Sequence, residues 1–202
     1  MAHDDTSPTK GEQTRRAILD AAIARFGREG YRSTAVADIA RDASVGGTVA
    51  YAYFPNKEAL FLAALDEDVA ALMGRGLAKV LEEATVDDWR QTLFFTLVAE
   101  VEHHPLARRM LAGLEPEVTE RVLDIPALAE MRKVCIERLT AEQLAGTVRA
   151  DIDPTSIGNG VVAIILSLLM SVVQLGGSVA VAYAGDVAAV FEAAVERTPP
   201  RH

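Results

Sequence analysis

Glu100 and His104 stand four residues apart in a stretch with helical periodicity, a spacing that can bring a carboxylate and an imidazole to one metal ion. The neighbouring His103 points elsewhere on a helix, and the H-E-x-x-H arrangement is absent, so the pair reads better as a solvated helix terminus. No glycine-rich phosphate loop follows a strand, and no Ser-His-Asp order carries a supporting motif. Cys135 is the single cysteine, which excludes an internal disulfide and reads as a small buried apolar residue. These residues point away from an enzyme and call for neither metal nor cofactor. A different chemistry is offered by Lys57. Placed in the first turn of a helix, it combines a cation with free backbone amides, an arrangement that clamps a phosphate. Tyr51 and Tyr53 lie just before it and point in different directions, each able to be a buried ring or a surface phenol.

The elements that must position these groups lie between Thr34 and Lys57. Val36, Ile39 and Ala40 fall at helical spacing, a break follows at Asp42-Ala43-Ser44, and a second short helix runs from about Gly46 to Tyr53. Phe54 closes it, Pro55 forbids continuation, and Asn56 can cap the next helix. Ala50 and Phe54 are expected to face inward with Val45 and Ile39. Two short helices about a tight turn make a helix-turn-helix, whose second helix fits the DNA major groove. Upstream, a helix from about Gly11 to Arg28 buries Ile18, Leu19, Ala22, Ile23 and Phe26, ends at Gly30, and returns to the core through Tyr31.

With its flanks this stretch resembles the N-terminal domain of the TetR family of transcriptional regulators. T-R-R-A-I-L-D-A-A-I-A-R-F-G-R-E-G-Y (residues 14–31) resembles the family's first helix, T-A-V-A-D-I-A (34–40) its second, and Y-A-Y-F-P-N-K-E-A-L (51–60) the end of its recognition helix and the start of its fourth. The resemblance implies phosphate contacts from Thr34, Tyr51 and Tyr53, with Thr34 also placed to cap the second helix. It places residues 46–49 in the groove, but Gly46 and Gly47 stand where the family usually has a cap and a long polar side chain. Ala52 likewise replaces a common histidine. Neither Gly47 nor Ala52 can reach a base edge. That leaves the Thr48 hydroxyl and the Val49 methyls for direct readout. The paired glycines also weaken the helix by about 1 kcal/mol each relative to alanine.

Composition frames the rest. Of 202 residues 50% are hydrophobic and only 5% aromatic, which suits packed helices. The opening residues lack a charged region followed by an apolar core, so a cytoplasmic protein is expected. The net charge of −9 is carried entirely after residue 60, where 21 acidic residues oppose 12 basic ones. A neutral head on an acidic body orients the head toward a duplex, at the cost of weak non-specific affinity.

The fold expected is all-α: a polar disordered tail (1–10), a three-helix head (11–57) and a helical body (58–202), about nine helices in all. In the body, a helix from Asn56 to about Leu81 joins the two parts, with Gly74 and Gly76 able to bend it. A fifth spans about Val86 to His104 and stops at Pro105. Short helices follow near Leu106–Gly113 and Pro116–Leu123, then a longer one to Ala145. After Asp153-Pro154 the chain is most apolar, yet Val161 to Leu175 is only 15 residues and carries Ser167, Ser171 and Gln174. A bilayer span needs about 20, so a helix covered on every side is expected instead, by the body on one side and by a second copy or the last helix on the other.

The family resemblance implies that this helix and a last one, Gly185 to about Arg197, form a four-helix homodimer interface. The interface residues would be Ile165, Leu168, Leu169, Val172, Val187, Val190 and Phe191, with Gly158, Ser167 and Ser171 allowing close approach. It also implies an effector cavity near Leu65, Trp89, Phe94, Met110, Met131 and Cys135. Few aromatics and no obvious buried cation favour an apolar or neutral ligand. The function expected is a ligand-responsive regulator, a repressor of a palindromic DNA operator. The alternative is a dimeric helical ligand-binding or scaffold protein with little sequence-specific DNA contact.

Overall fold

Thr9 opens the first helix with a reciprocal cap. Its hydroxyl accepts from the Glu12 amide while the Glu12 carboxylate accepts from the Thr9 amide, satisfying two otherwise orphaned donors. The computed structural model of this chain describes residues 9–82, 89–122 and 124–195. The expected tail and the expected ends at Val86, Leu123 and Arg197 therefore fall partly or wholly outside the described residues.

Ten α-helices and one 3-10 turn follow among those residues, and no strand. Helix α1 (Lys10–Ser33) breaks at Gly30, whose φ of 84° and ψ of 169° leave the helical region. Helices α2 (Val36–Asp42) and α3 (Gly47–Tyr53) complete the head. α4 (Lys57–Glu82) leads into the body, made of α5 (Trp89–Glu100), the 3-10 turn Val101–His103, α6 (Pro105–Leu111), α7 (Thr119–Val122), α8 (Pro126–Ala145), α9 (Pro154–Leu175) and α10 (Gly177–Val195). The last helix thus starts eight residues before the expected Gly185, because Gly176 (φ 94°) turns the chain and the alanine-rich stretch after it is already helical.

α4 is the spine. It packs against α1, α5, α6 and α8. Leu60, Phe61, Ala64 and Leu65 are fully buried along it. Phe61 meets the edges of Phe26 and Tyr31 at ring-centroid distances of 5.1 and 5.2 Å, fusing the head core to the body core. Asn56 caps it as expected, its side-chain oxygen accepting from the Ala59 amide at 2.7 Å. Gly76 serves packing: a Cβ there would lie 2.9 Å from a Leu93 methyl, so glycine is what lets α5 approach.

α9 is long and apolar enough by length and composition to cross a membrane, but here it packs against α8, α10, α5 and α6. Within the single chain 28% of its most apolar 18-residue window is buried, as the body covers only part of the helix. Gly158, Val161, Ile165 and Leu169 face the core, while Ala163, Ser167, Met170 and Gln174 face outward. Gly158 admits Ile136 of α8, where a Cβ would come within 2.7 Å of the Ile136 side chain; its smallness tightens the body and not a dimer contact.

Candidate nucleic-acid interface and its linkage to the body

The recognition face is built from the inside out. Ala50 is fully buried and Phe54 nearly so, pinning α3 against the head core with Ile39 and Val36 of α2. Ser44, at a positive φ of 57°, makes the turn between α2 and α3. With its inner face anchored, α3 turns Val49 (37% exposed), Tyr51 (54%) and Tyr53 (36%) to solvent, and Thr48 is exposed beside them. Large apolar and aromatic side chains exposed together on one short helix form a surface for contact. The Tyr53 hydroxyl lies beside Gly11, within 3.6 Å of where a Cβ would stand, so the start of α1 borders the same surface. Arg15 sits over the Phe54 ring at 5.5 Å, on that border too.

Two expected contacts are corrected. Thr34 is only 2% exposed and its hydroxyl donates to the Gly30 carbonyl at 2.8 Å, so it stitches the α1 exit instead of facing a phosphate. The cap position of α2 is Ala35, which offers no side-chain cap. Lys57 does sit in the first turn of α4, but its ammonium turns back: it donates to the Thr34 carbonyl at 3.1 Å and the Arg32 carbonyl at 3.4 Å, and lies 4.5 Å from the Tyr31 ring centre. It therefore holds the α1–α2 connection onto α4.

Most of the other head cations are also engaged internally. Arg25 grips Asp42 and Glu29, and this pairing holds the Asp42 carboxyl below its ordinary range. Arg16 pairs with Asp20 and Glu67, Arg28 with Glu29, Arg32 with Glu117 and Arg41 with Asp38.

Gly46 takes the cap position of α3 with no side-chain bond, and Gly47 begins the helix in open space, with no atom within 4 Å of a Cβ built there. Gly47→Ala is therefore expected to stabilise the head by about 0.5–1 kcal/mol, since it removes unfolded-state freedom without a clash. Urea unfolding of the variant measures this; a loss of stability would show that the position needs glycine for a reason the packing does not contain.

The helix joining head to body was expected from the sequence, but the polar contacts that tie it to its neighbours were not. Three consecutive acids of α4 each hold a different helix. Asp66 accepts from the Ala127 amide at 2.8 Å, capping α8. Glu67 pairs with Arg16 of α1. Asp68, 5% exposed, accepts from the Leu106 and Ala107 amides at 3.0 and 2.9 Å, capping α6, and bonds His104 Nδ1 at 2.9 Å. His104 is thus buried, contrary to the solvated terminus expected, and it does not converge with Glu100, which pairs with Arg75. The signal available was the D-E-D run itself at the middle of an otherwise apolar helix.

A second clasp joins α1 to the segment after α6. Buried Glu115 accepts from the Tyr31 amide at 3.1 Å and pairs with Arg109. Gly30 is required here twice over, by its φ and because a Cβ would collide with Arg109 and Glu115. Nearby, Gly27 admits Pro105, whose Cβ would be 2.7 Å from an added Cβ.

Residues 18–64 match the model of the family described as bacterial regulatory proteins, tetR family. The similarity to that family lies in the N-terminal module. The uncharacterised HTH-type transcriptional regulator YuxN of Bacillus subtilis is 41% identical over 49 residues, 24% of this chain; the match spans 17% of the length of that relative. Over the whole chain the similarity is one of fold. FadR of Bacillus subtilis, solved with stearoyl-CoA, superposes with a TM-score of 0.68 at 20% identity, covering 90% of this chain and 99% of its own. FadR of Thermus thermophilus, a TetR-family repressor solved with lauroyl-CoA, gives 0.66 at 19% identity, covering 93% and 99%.

In the body a cavity of about 450 Å³ opens between α6, α7, α8 and α9. Its walls are mainly apolar, from Met110, Leu111, Leu128, Val162, Leu166 and Met170, with Thr119, Arg132, Asn159 and Ser167 as polar members. Of the six residues expected to line an effector site, Met110 lines this cavity. Leu65, Trp89, Phe94, Met131 and Cys135 are packed in the core, at most 4% exposed. Burial pushes the Cys135 thiol up to about 11, leaving it neutral and apolar in character.

The body also holds a cation that the sequence did not reveal. Arg90 is largely buried, lies over the Trp89 ring at 4.7 Å, and pairs with Glu142 at 3.1 Å.

Of the expected dimer residues, Ile165 and Leu169 point into the core and are corrected. Leu168, Val172, Val187 and Phe191 are half-buried, and Val190 is 64% exposed.

Proposed function

We propose that this chain is an effector-responsive transcriptional repressor that binds a palindromic DNA operator as a homodimer. The observation that carries the reading is α3: its inner residues Ala50 and Phe54 are anchored while Thr48, Val49, Tyr51 and Tyr53 stand together at the surface. Thr48 and Val49 read base edges, and the tyrosine hydroxyls hold the backbone. With so many head cations paired internally, non-specific affinity is low and the salt dependence shallow.

Two heads placed about 34–36 Å apart would enter successive major grooves. The pairing surface proposed is the outward face of α9 and α10, where Met170, Tyr183 and Val190 are exposed, as are the small residues Ala163 and Ser167. The effector proposed is a small molecule with an apolar body, seated in the cavity between α6 and α9. The acyl-CoA carried by the FadR structures is a ligand of that chemical kind. A shift of α6 or α8 would reach the head through α4, because Asp66, Glu67 and Asp68 tie those helices and α1 to one turn. Coupling of 1–3 kcal/mol would change operator affinity 5- to 150-fold.

The test is selection of bound duplexes from a random pool. Enrichment of one inverted repeat, bound about 10³-fold or more above random DNA, is expected. The paired cations of the head and the acidic body favour one alternative, a dimeric ligand-binding protein with little sequence-specific DNA contact. For that protein the selection would return no consensus.

A further inference from the structure

We propose that the body binds a small organic carboxylate where the start of α5 faces the C-terminal half of α8, in a site made by Trp89, Arg90, Arg138 and Glu142. This site shares no residue with the cavity between α6 and α9 and is independent of the effector and operator readings. Helices α5 and α8 both lean on α4 and α9, and here they reach one another through long side chains. Arg90, from α5, lies over the Trp89 ring at 4.7 Å and meets the Glu142 carboxylate at 3.1 Å. Arg138, one turn before Glu142 on α8, stands 5.9 Å from the same ring centre and 3.6 Å from the same carboxylate. One indole and one carboxylate thus hold two guanidinium groups together.

Charge and hydrogen bonding both point to an anion. Arginine keeps its proton inside a protein. Glu142 is the one carboxylate paired with either guanidinium among the described residues, so one positive charge is left uncompensated. The Arg90 side chain is only 10% exposed, and a charge without a counter-charge under such cover is costly. Cys135 lies within the field of Arg90 yet supplies no anion, because burial keeps its thiol protonated. The indole Nε1–H of Trp89 and the Nε–H of Arg90 are both buried and find no acceptor among the described residues. Indole N–H groups ordinarily find a partner when buried, and one left without is penalised. Arg138 stays beyond hydrogen-bond reach of Glu142. Every group short of a partner is therefore a donor, and the molecule that completes the cluster must only accept and carry one negative charge. A carboxylate does both, and its plane matches the guanidinium fork. A phosphate group brings more negative charge than the cluster offsets. Trp89 forms the floor, while Arg138 and Glu142, 26% and 22% exposed, open the site to solvent along α8.

Hexanoate serves as the probe, titrated into the full chain at fixed pH and ionic strength, with inorganic phosphate as the comparison. Trp89 is the single tryptophan of the chain, so its emission reports on this site. The expected result is a saturable red shift as the indole N–H gains an acceptor, with calorimetry returning the same Kd. R138Q removes a guanidinium that makes no hydrogen bond to Glu142, so the fold should stand. Its affinity for hexanoate should fall about 10-fold or more. E142Q removes the competing carboxylate, while its amide oxygen can still accept from Arg90, and should tighten binding about threefold. No saturable change in Trp89 emission overturns the proposal and leaves the cluster a packing network. Hexanoate bound as tightly by R138Q as by the parent overturns it too, by putting the probe elsewhere in the body. So does a folded E142Q chain that binds more weakly than the parent. Tighter saturation by phosphate than by hexanoate overturns the choice of a carboxylate. Should E142Q fail to fold, R138Q decides alone.

Discussion

Asp68→Ala is expected to lower the stability of this protein by about 3 kcal/mol, the largest effect of any single change at the head–body junction. The carboxylate is buried and accepts two α6 amides while bonding His104. Its loss leaves three groups inside the protein without partners, each costing about 1–3 kcal/mol if water cannot reach it. Asp68→Asn should recover part of the loss, since an amide oxygen can still accept one of the bonds. Urea unfolding with a constant slope measures the difference. A loss below about 1 kcal/mol in the alanine variant would mean that α6 is held by packing alone, and that α4 is not the hub its three acids describe. The same variant should alter operator affinity, because α6 packs directly against α1.

Tyr51→Glu is expected to weaken operator binding by about 100-fold while leaving stability within about 0.5 kcal/mol of the parent. The side chain is 54% exposed and makes no ring contact with the core, so its replacement disturbs little within the fold. Against a duplex, the new carboxylate meets phosphates of the same sign, and juxtaposed like charges at an interface cost several kcal/mol. Fluorescence anisotropy with the selected operator at fixed salt reads the change. Binding within threefold of the parent would show that α3 does not present its outer face to DNA, and the proposed function would fall with it.

What the sequence determined by itself was the local grammar. The helix-turn-helix, its inward Ala50 and Phe54, its stop at Pro55 and the Asn56 cap all follow from interactions within a few residues, and each stands in the structure where its residues place it. The helical body was legible for the same reason, from apolar periodicity, Pro105 and the Asp153-Pro154 start of α9.

The tertiary structure alone decided which way long or polar side chains turn. Lys57 reaches carbonyls more than twenty residues away in the chain, Thr34 is buried beneath the α1 exit, and Asp66, Glu67 and Asp68 find three separate helices. Which side of an all-round apolar helix is core was likewise undecidable from periodicity. Ile165 and Leu169 differ from Ala163 and Met170 in surroundings and not in pattern, and only the packing of α8, α5 and α6 around α9 separates them. Cavities obey the same logic: they form where helices fail to meet, and that depends on the sum of many contacts and not on any run of residues.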